Sequence, residues 1–439
     1  VIVFTPTITS RLQYVADFIG KEIIGQPLQL SENISEYKNT NGPRINYSNE
    51  KITKDECWIQ PHSLLFEKGI KEQMVDCFQW EGTKAFFKTE GEFPFDIFAA
   101  CFYLLSRYEE YLPHQKDIYG RYAHTNALAF KEGFLDLPLV NIWLKFFKEE
   151  LIKKFPDFKS QLVSSAGYSG SSMRFLPTYD IDEAYAYKYK SRWRTTGALV
   201  KSLLKGNWSG FRERRKVLKG KLRDPYDAYE WMDQLHQQHR LQPRYFFLVA
   251  GKTGKYDRNI LPHEVAMKEL IRQHARKYAI GIHPSWQSGD NELLLKKEIT
   301  TLESITGKKI TSSRQHFIRF TLPATCRRLV EEGFEEDFSM GYGSINGFRA
   351  SVASPFYWYD LEKEQTTGLT QYPFCFMEAN SFFEQKLSPE QGLEEIRRYY
   401  KTVQDVNGMF ICIWHNTFLG TASYYKGWRE VYEEFLKNR

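Results

Sequence analysis

An α/β fold built on a parallel sheet, behind a smaller α/β domain, is the expectation from three observations on this 439-residue chain. Short apolar runs alternate with helical patterns from residue 173 onward, the rhythm of βα units whose strands lie parallel. The runs number about seven, which suits a closed or nearly closed (β/α) barrel, with a doubly wound open sheet as the competing architecture. The stretch before residue 165 has a different texture, with broad apolar helices and an Asn-rich polar segment, and reads as a separate unit.

That first unit spans residues 1–165. A helical pattern runs through Arg11–Ile19, and a polar stretch covers Ser31–Thr53. Phe95, Ile97, Phe98, Cys101, Phe102, Leu104 and Leu105 then form a broad apolar helical face that ends at Arg107, Glu109 and Glu110. A Gly-containing turn at Asp117–Tyr122 leads to a second helix over Leu137–Lys153. Nothing here has catalytic spacing, so the unit reads as a packing or adaptor domain. Ser164–Ser172 is small, polar and Gly-rich, and reads as a linker.

The second unit, residues 173–439, carries the strands: Phe175–Tyr179, Tyr245–Ala250, Ala279–Ile282, His316–Phe320, Phe338–Met340, Phe374–Met377 and Met409–Trp414. Helices are expected over Pro225–His239, Glu264–Lys277, Asn291–Ile305, Pro323–Glu332 and Tyr424–Leu436. Ser388-Pro389-Glu390-Gln391 opens one more as a capping box with Pro at its first turn.

Composition narrows the class. Hydrophobic residues make up 42% and aromatics 16%, too much for general disorder and ample for a core. No run of about 18 apolar residues occurs, so no membrane span is expected. Val1-Ile2-Val3-Phe4 lacks the basic start and long apolar stretch of a signal peptide. Cys57, Cys77, Cys101, Cys326, Cys375 and Cys412 show no C-x-x-C spacing, and read as buried thiols of a reducing compartment, which points to the cytoplasm.

The net charge of +6 is unevenly placed. Residues 188–223 hold thirteen Lys or Arg against Glu213 alone, a local +12, which leaves the rest of the chain at −6. Trp193, Leu199, Val200, Leu203, Leu204, Trp208 and Phe211 are interleaved with those cations, and Gly197–Trp208 fits a short amphipathic helix. That composition suits the surface of an anionic membrane; a solvated insertion lying on the barrel is the plain alternative. Nucleic acid is not expected as a partner, because no nucleic-acid-binding motif accompanies the charge.

The chemistry gathers where strands end. In Thr178-Tyr179-Asp180-Ile181-Asp182 two carboxylates leave a strand end on the same side, since strands have period two. Like charges that close are relieved by a cation or a shared proton; alternatively one Asp caps a helix and the other is solvated. The next strand ends carry His283 in Gly281-Ile282-His283-Pro284-Ser285, Arg314 and His316 in Ser313-Arg314-Gln315-His316-Phe317, Asp337 in Glu336-Asp337-Phe338, and His415 after Cys412-Ile413-Trp414. A lone His beside apolar residues is usually a hydrogen-bonded core group. Recurrence at one edge of the sheet points instead to a site.

The order TYDID, GIHPS, an Arg-containing strand and IWHN resembles the polysaccharide deacetylases of carbohydrate esterase family four, more closely a bacterial branch with an extra N-terminal domain. The resemblance covers Phe175–Arg439, and FDIFAACFYLLSRYEEYL resembles that branch's accessory domain. It implies a distorted (β/α) barrel, a divalent metal (usually zinc), and removal of acetyl groups from N-acetylated sugars in a glycan or lipid-linked glycan intermediate. It makes Asp180 the general base, Asp182 and His283 metal ligands, Arg314 the group that orients the base, His415 the general acid and Asp337 its orienting carboxylate. The family has a second metal-binding His four residues after the first, whereas this chain has Gln287, a poor zinc ligand. His316 is the candidate replacement, on the strand face it shares with Arg314 by period-two alternation; packing beside Phe317 is the plain alternative.

Two other readings stand beside this one. A deacetylase relative that has lost its metal would bind glycan without cutting it. D-x-D is also the metal motif of nucleotide-sugar glycosyltransferases, although no Gly-rich nucleotide loop accompanies it. Tyr342, Arg349, Phe356, Tyr357 and Trp358 are expected to approach the cleft, since aromatic faces and a guanidinium suit sugars.

Overall fold

Strand β7 (Arg174–Ile181) lies inside the largest of three sheets, two strands from one edge. The computed structural model describes residues 1–156 and 173–439, so the expected linker over 164–172 lies outside the described residues. The N-terminal part holds β1 (Ile2–Phe4), β2 (Gln29–Ser31), β3 (Arg44–Tyr47) and β4 (Cys57–Ile59) in a parallel sheet of order β2-β1-β3-β4, followed by the hairpin of β5 (Phe78–Trp80) and β6 (Thr83–Ala85). Its helices match the expected patterns. Ser10–Ile24 is capped by Thr9 and ends on Gly25 in the left-handed region at φ 75°. Ile97–Leu105 is buried on every side, as a helix without a polar face must be.

The larger sheet has nine strands. Besides β7 they are β8 (Arg244–Leu248), β9 (Ala279–His283), β10 (Ser312–Ser313), β11 (Glu336–Asp337), β12 (Phe356–Asp360), β13 (Gln365–Gln371), β14 (Phe376–Met377) and β15 (Met409–His415), ordered β12-β13-β11-β10-β9-β8-β7-β15-β14. All neighbours are parallel except the β12–β13 hairpin. Alternation along β15 shows the layering. Phe410, Cys412 and Trp414 pack into the main core, whereas Met409, Ile411 and Ile413 join a second cluster with Phe246, Phe338 and Phe374.

That second cluster marks a concave face. Phe246 on β8 meets Phe338, just past β11, with ring centroids 5.2 Å apart. Three strand spacings on a flat sheet would hold them about 14 Å apart, so the sheet curls strongly. Gly281 permits the approach, because a Cβ there would come within 2.4 Å of the Phe246 ring.

The curl does not close into a hydrogen-bonded ladder among the described residues. Its two flanks are spanned instead by irregular bonds, the Phe374 N–H to the Met340 carbonyl (3.1 Å) and the Gly347 N–H to the Cys375 carbonyl (2.9 Å). Two expected strands shift accordingly. His316–Phe320 is not a strand: its first three residues form a 3₁₀ turn with Phe317 and Ile318 at φ 57° and 52°. Phe338–Met340 lies just past the two-residue β11.

The N-terminal part docks on the β12–β13 hairpin. The Arg11 guanidinium donates to Glu364, and Arg349 donates twice to Glu110 at 2.8 and 2.6 Å. Among the described residues no helix is long and apolar enough to cross a membrane. All six cysteines are free, and burial pushes the Cys57 and Cys77 thiols up to about 12.

Candidate metal centre

Parallel register brings the strand ends together. Asp180 on β7 lies opposite His415 on β15, and Leu248 on β8 opposite His283 on β9. The Arg314 N–H continues the pattern by donating to the Ile282 carbonyl at 3.0 Å. Asp180, Asp182, His283, Arg314, His316 and His415 therefore share the C-terminal edge, where parallel sheets concentrate their ligands.

Asp182, just beyond β7, is the hub. Its Oδ1 lies 3.1 Å from His283 Nε2, and its Oδ2 lies 3.4 Å from His316 Nε2 and 3.6 Å from His415 Nε2. Ligand atoms of Asp182, His283 and His316 all lie within 4.8 Å of one another. His316 is therefore brought to the group, by a 3₁₀ turn and not by the strand face expected for it. Gln287 is turned away and donates to Asp257 at 3.3 Å.

The hydrogen bonds behind these rings decide what faces Asp182. His283 Nδ1 lies 2.6 Å from the Arg314 carbonyl, which can only accept, so Nδ1 carries the proton. His316 Nδ1 lies 3.1 Å from the Asp257 carboxylate, with the same consequence. In the neutral rings both Nε2 lone pairs then point at a carboxylate, acceptor against acceptor. Asp182 Oδ1 is a buried oxygen with no hydrogen-bond donor among the described residues. Only a cation or an added proton relieves that arrangement.

The separations fit a cation. Zinc ligands bound at about 2.0–2.1 Å in a tetrahedron stand roughly 3.3 Å apart, close to the 3.1 and 3.4 Å found here. Without one, protons take its place. Burial works against ionisation of Asp182, but the His316 and His283 imidazoles outweigh it and hold the carboxyl well below the usual range. Burial likewise pulls the His316 ring down, while Asp182 and Asp257 bring it up to about 9.

Two more units flank this centre. Asp180 Oδ1 accepts from Arg314 Nη1 at 2.8 Å, and the fully buried guanidinium also donates to the Phe338 carbonyl and lies 4.4 Å from the Phe246 ring centroid. Across the cavity, Glu378 Oε1 accepts from both His415 Nδ1 and the His415 N–H, each at 2.7 Å. Burial lowers the His415 pKa, but Glu378 outweighs it and raises the ring to about 10. His415 thus turns Nε2 to the cavity, with Nδ1 held by Glu378.

Asp337 does not occupy the position expected of it. It accepts from Ser313 and Ser339, sits behind Arg314, and burial pushes its carboxyl up to about 6. The carboxylate that bonds His415 is Glu378, which follows β14 directly and obeys the same strand-end rule as the residues singled out from the sequence. Asp257 carried no comparable signal, because it lies in the loop beyond β8.

The centre opens into a cavity of about 440 Å³. Its walls include Tyr119, Tyr226, Phe317, Phe383, Phe418 and Tyr425, not the five residues expected from the sequence. Tyr342 and Arg349 are buried, Arg349 on Glu110, and Phe356, Tyr357 and Trp358 belong to β12 on the docking flank. Tyr119 and Arg121 come from the N-terminal part, so that part completes the cavity wall and is more than a packing unit. Arg121 Nη1 donates to the Phe317 carbonyl at 2.8 Å and the Gly343 carbonyl at 3.1 Å, bracing the left-handed turn that carries His316.

Residues 1–156 match a family of unknown function (DUF7033). No curated protein sequence matches the chain. Among solved structures, it is similar to an assigned polysaccharide deacetylase of Mycobacterium smegmatis over 62% of this chain and 85% of that one (15% identity, TM-score 0.39). It is similar to Puue allantoinase over 62% and 85% (12% identity, TM-score 0.41), and to an assigned polysaccharide deacetylase of Pseudomonas aeruginosa PAO1 over 62% and 86% (13% identity, TM-score 0.38). Likeness at that level says nothing by itself of activity.

Proposed function

We propose that the chain is a metal-dependent amide hydrolase that removes acetyl groups from an N-acetylated sugar. The observation that carries this reading is the pair of imidazole Nε2 atoms facing the Asp182 carboxylate, each with its Nδ1 proton already committed. Asp182, His283 and His316 would hold the ion, and one carboxylate with two imidazoles suits zinc. A divalent ion bound there would polarise the acetyl carbonyl and lower the pKa of water.

The chain's own groups divide the remaining work. Asp180, held in place by Arg314, takes a proton from the attacking water. His415 carries its proton on Nε2, facing the cavity, and delivers it to the amide nitrogen as the C–N bond breaks. Acetate and a free amine leave. Glu378 and Arg314 are positioning residues, one for each proton-transfer group. The aromatic walls suit the apolar faces of a sugar ring.

The test is release of acetate from N-acetylhexosamine oligomers by protein loaded with zinc. Turnover that falls by about 10²–10⁴-fold in His415→Ala supports the assignment. Tight glycan binding with no acetate released would show a binding protein that has lost catalysis. No binding and no release would overturn the sugar reading altogether.

A further inference from the structure

We infer that residues 188–223 form an arm that docks the protein on an anionic lipid surface beside the cavity mouth. This inference stands apart from the catalytic reading and uses none of its residues as ligands. The arm folds as two helices, Arg192–Leu204 and Trp208–Leu218. The first has no buried residue over thirteen positions. Its apolar side chains are nonetheless ordered: at 100° per residue, Trp193, Val200 and Leu204 fall on one narrow stripe. They are 90%, 48% and 83% exposed, and Trp208 at the start of the second helix is 59% exposed.

Cations flank that stripe on both sides, Arg192 on one and Arg194, Lys201 and Lys205 on the other. A helix of this length is marginal in water unless its apolar stripe is covered, and nothing among the described residues covers it. Apolar side chains in the middle with cations at the edges are what an interfacial helix needs. The stripe enters the acyl boundary while the basic flanks meet lipid phosphates. Charge complementarity selects the occupant, because thirteen cations against one acid in the segment suit an anionic surface, whereas a protein partner of mixed charge would leave most of them unmatched.

The root of the arm fixes where it points. Asp224 accepts from the Ala186, Tyr187 and Lys188 N–H groups at 2.7, 2.8 and 2.9 Å, clamping the two ends of the segment together. Lys190 pairs with Glu183 at 3.0 Å, and Glu183 lines the cavity. The arm therefore begins six residues past Asp182, rooted beside a cavity-lining residue, and a surface that holds it lies next to the cavity.

Co-sedimentation of the full chain with vesicles tests this. Binding is expected to vesicles of phosphatidylglycerol mixed with phosphatidylcholine at about 0.05 M salt, and to fall steeply by about 0.5 M. Vesicles of phosphatidylcholine alone should bind roughly tenfold less or weaker. Lys201→Glu with Lys205→Glu, and separately Trp193→Ser with Leu204→Ser, should each reduce binding by about tenfold or more, with unchanged thermal unfolding. No binding to the anionic vesicles overturns the inference. So does equal binding to both vesicle types. Wild-type binding by the Trp193→Ser, Leu204→Ser variant, with complete competition by single-stranded RNA, would show a nucleic-acid surface instead.

Discussion

Glu110 and Asp182 are both acidic groups ringed by basic side chains, yet they lie in regions with opposite logic. Glu110 sits where the N-terminal part meets the larger sheet, and its oxygens receive hydrogens from Arg349 Nε at 2.8 Å, Arg349 Nη2 at 2.6 Å and Arg107 Nε at 2.8 Å. Donors meet acceptors there, and the charges are closed off. Asp182 faces ring nitrogens whose neutral forms offer lone pairs, because their protons point away to Arg314 and Asp257. A buried charge with its donors in place holds a fold together; a carboxylate confronted by acceptors is arranged around something that is not protein.

The two regions should fail in opposite ways. Asp182→Ala is expected to abolish acetate release and metal uptake while the metal-free protein still folds. Glu110→Ala strands two buried guanidinium groups and should cost about 3–5 kcal/mol, read from urea unfolding, with metal uptake intact in the folded fraction. A Glu110 variant that unfolds like wild type would break the comparison.

Glu378→Gln sharpens it within the mouth. The carboxylate holds His415 up to about 10, so the imidazolium persists to high pH and is lost as pH rises past that value. Without it the ring falls toward its ordinary 6.5, and the alkaline limb of kcat/KM should move down in pH with it. An unmoved alkaline limb would remove His415 from the role of acid.

Arg121→Ala should have a smaller effect, about tenfold weaker metal binding, because it releases the turn bearing His316 without touching a ligand. A further effect lies in acid. Paired with Arg349 and Arg107 against the pull of burial, Glu110 has a folded pKa of about 2 instead of 4.5. Its contribution to stability is full above about pH 4.5 and is lost as pH falls toward 2. Glu110→Gln should flatten that part of the stability profile, measured as urea midpoints across the range.

Much of the mouth was legible because its groups directly follow apolar runs. Asp180, Asp182, His283 and His415 all stand at the ends of β7, β9 and β15, whose alternation is plain in the sequence. His316 was singled out on an argument the structure replaces: its place depends on two left-handed residues braced by Arg121, which no local pattern announces. Glu378 was equally visible beyond Phe376-Met377 and was passed over in favour of Asp337. The cleft walls were misplaced because β13, Gln-Thr-Thr-Gly-Leu-Thr-Gln, has no apolar run to mark it. Unmarked, its hairpin with β12 and the docking of the N-terminal part over it stayed hidden. Closure was undecidable for a related reason, since β10, β11 and β14 are two residues long and their pairing is set by distant chain.

Zinc titration of metal-free protein, followed calorimetrically, tests the central claim most directly. One equivalent per wild-type chain is expected, with the site lost in Asp182→Ala and in His316→Ala. A His316→Ala variant that takes up zinc with wild-type stoichiometry and affinity would contradict the account.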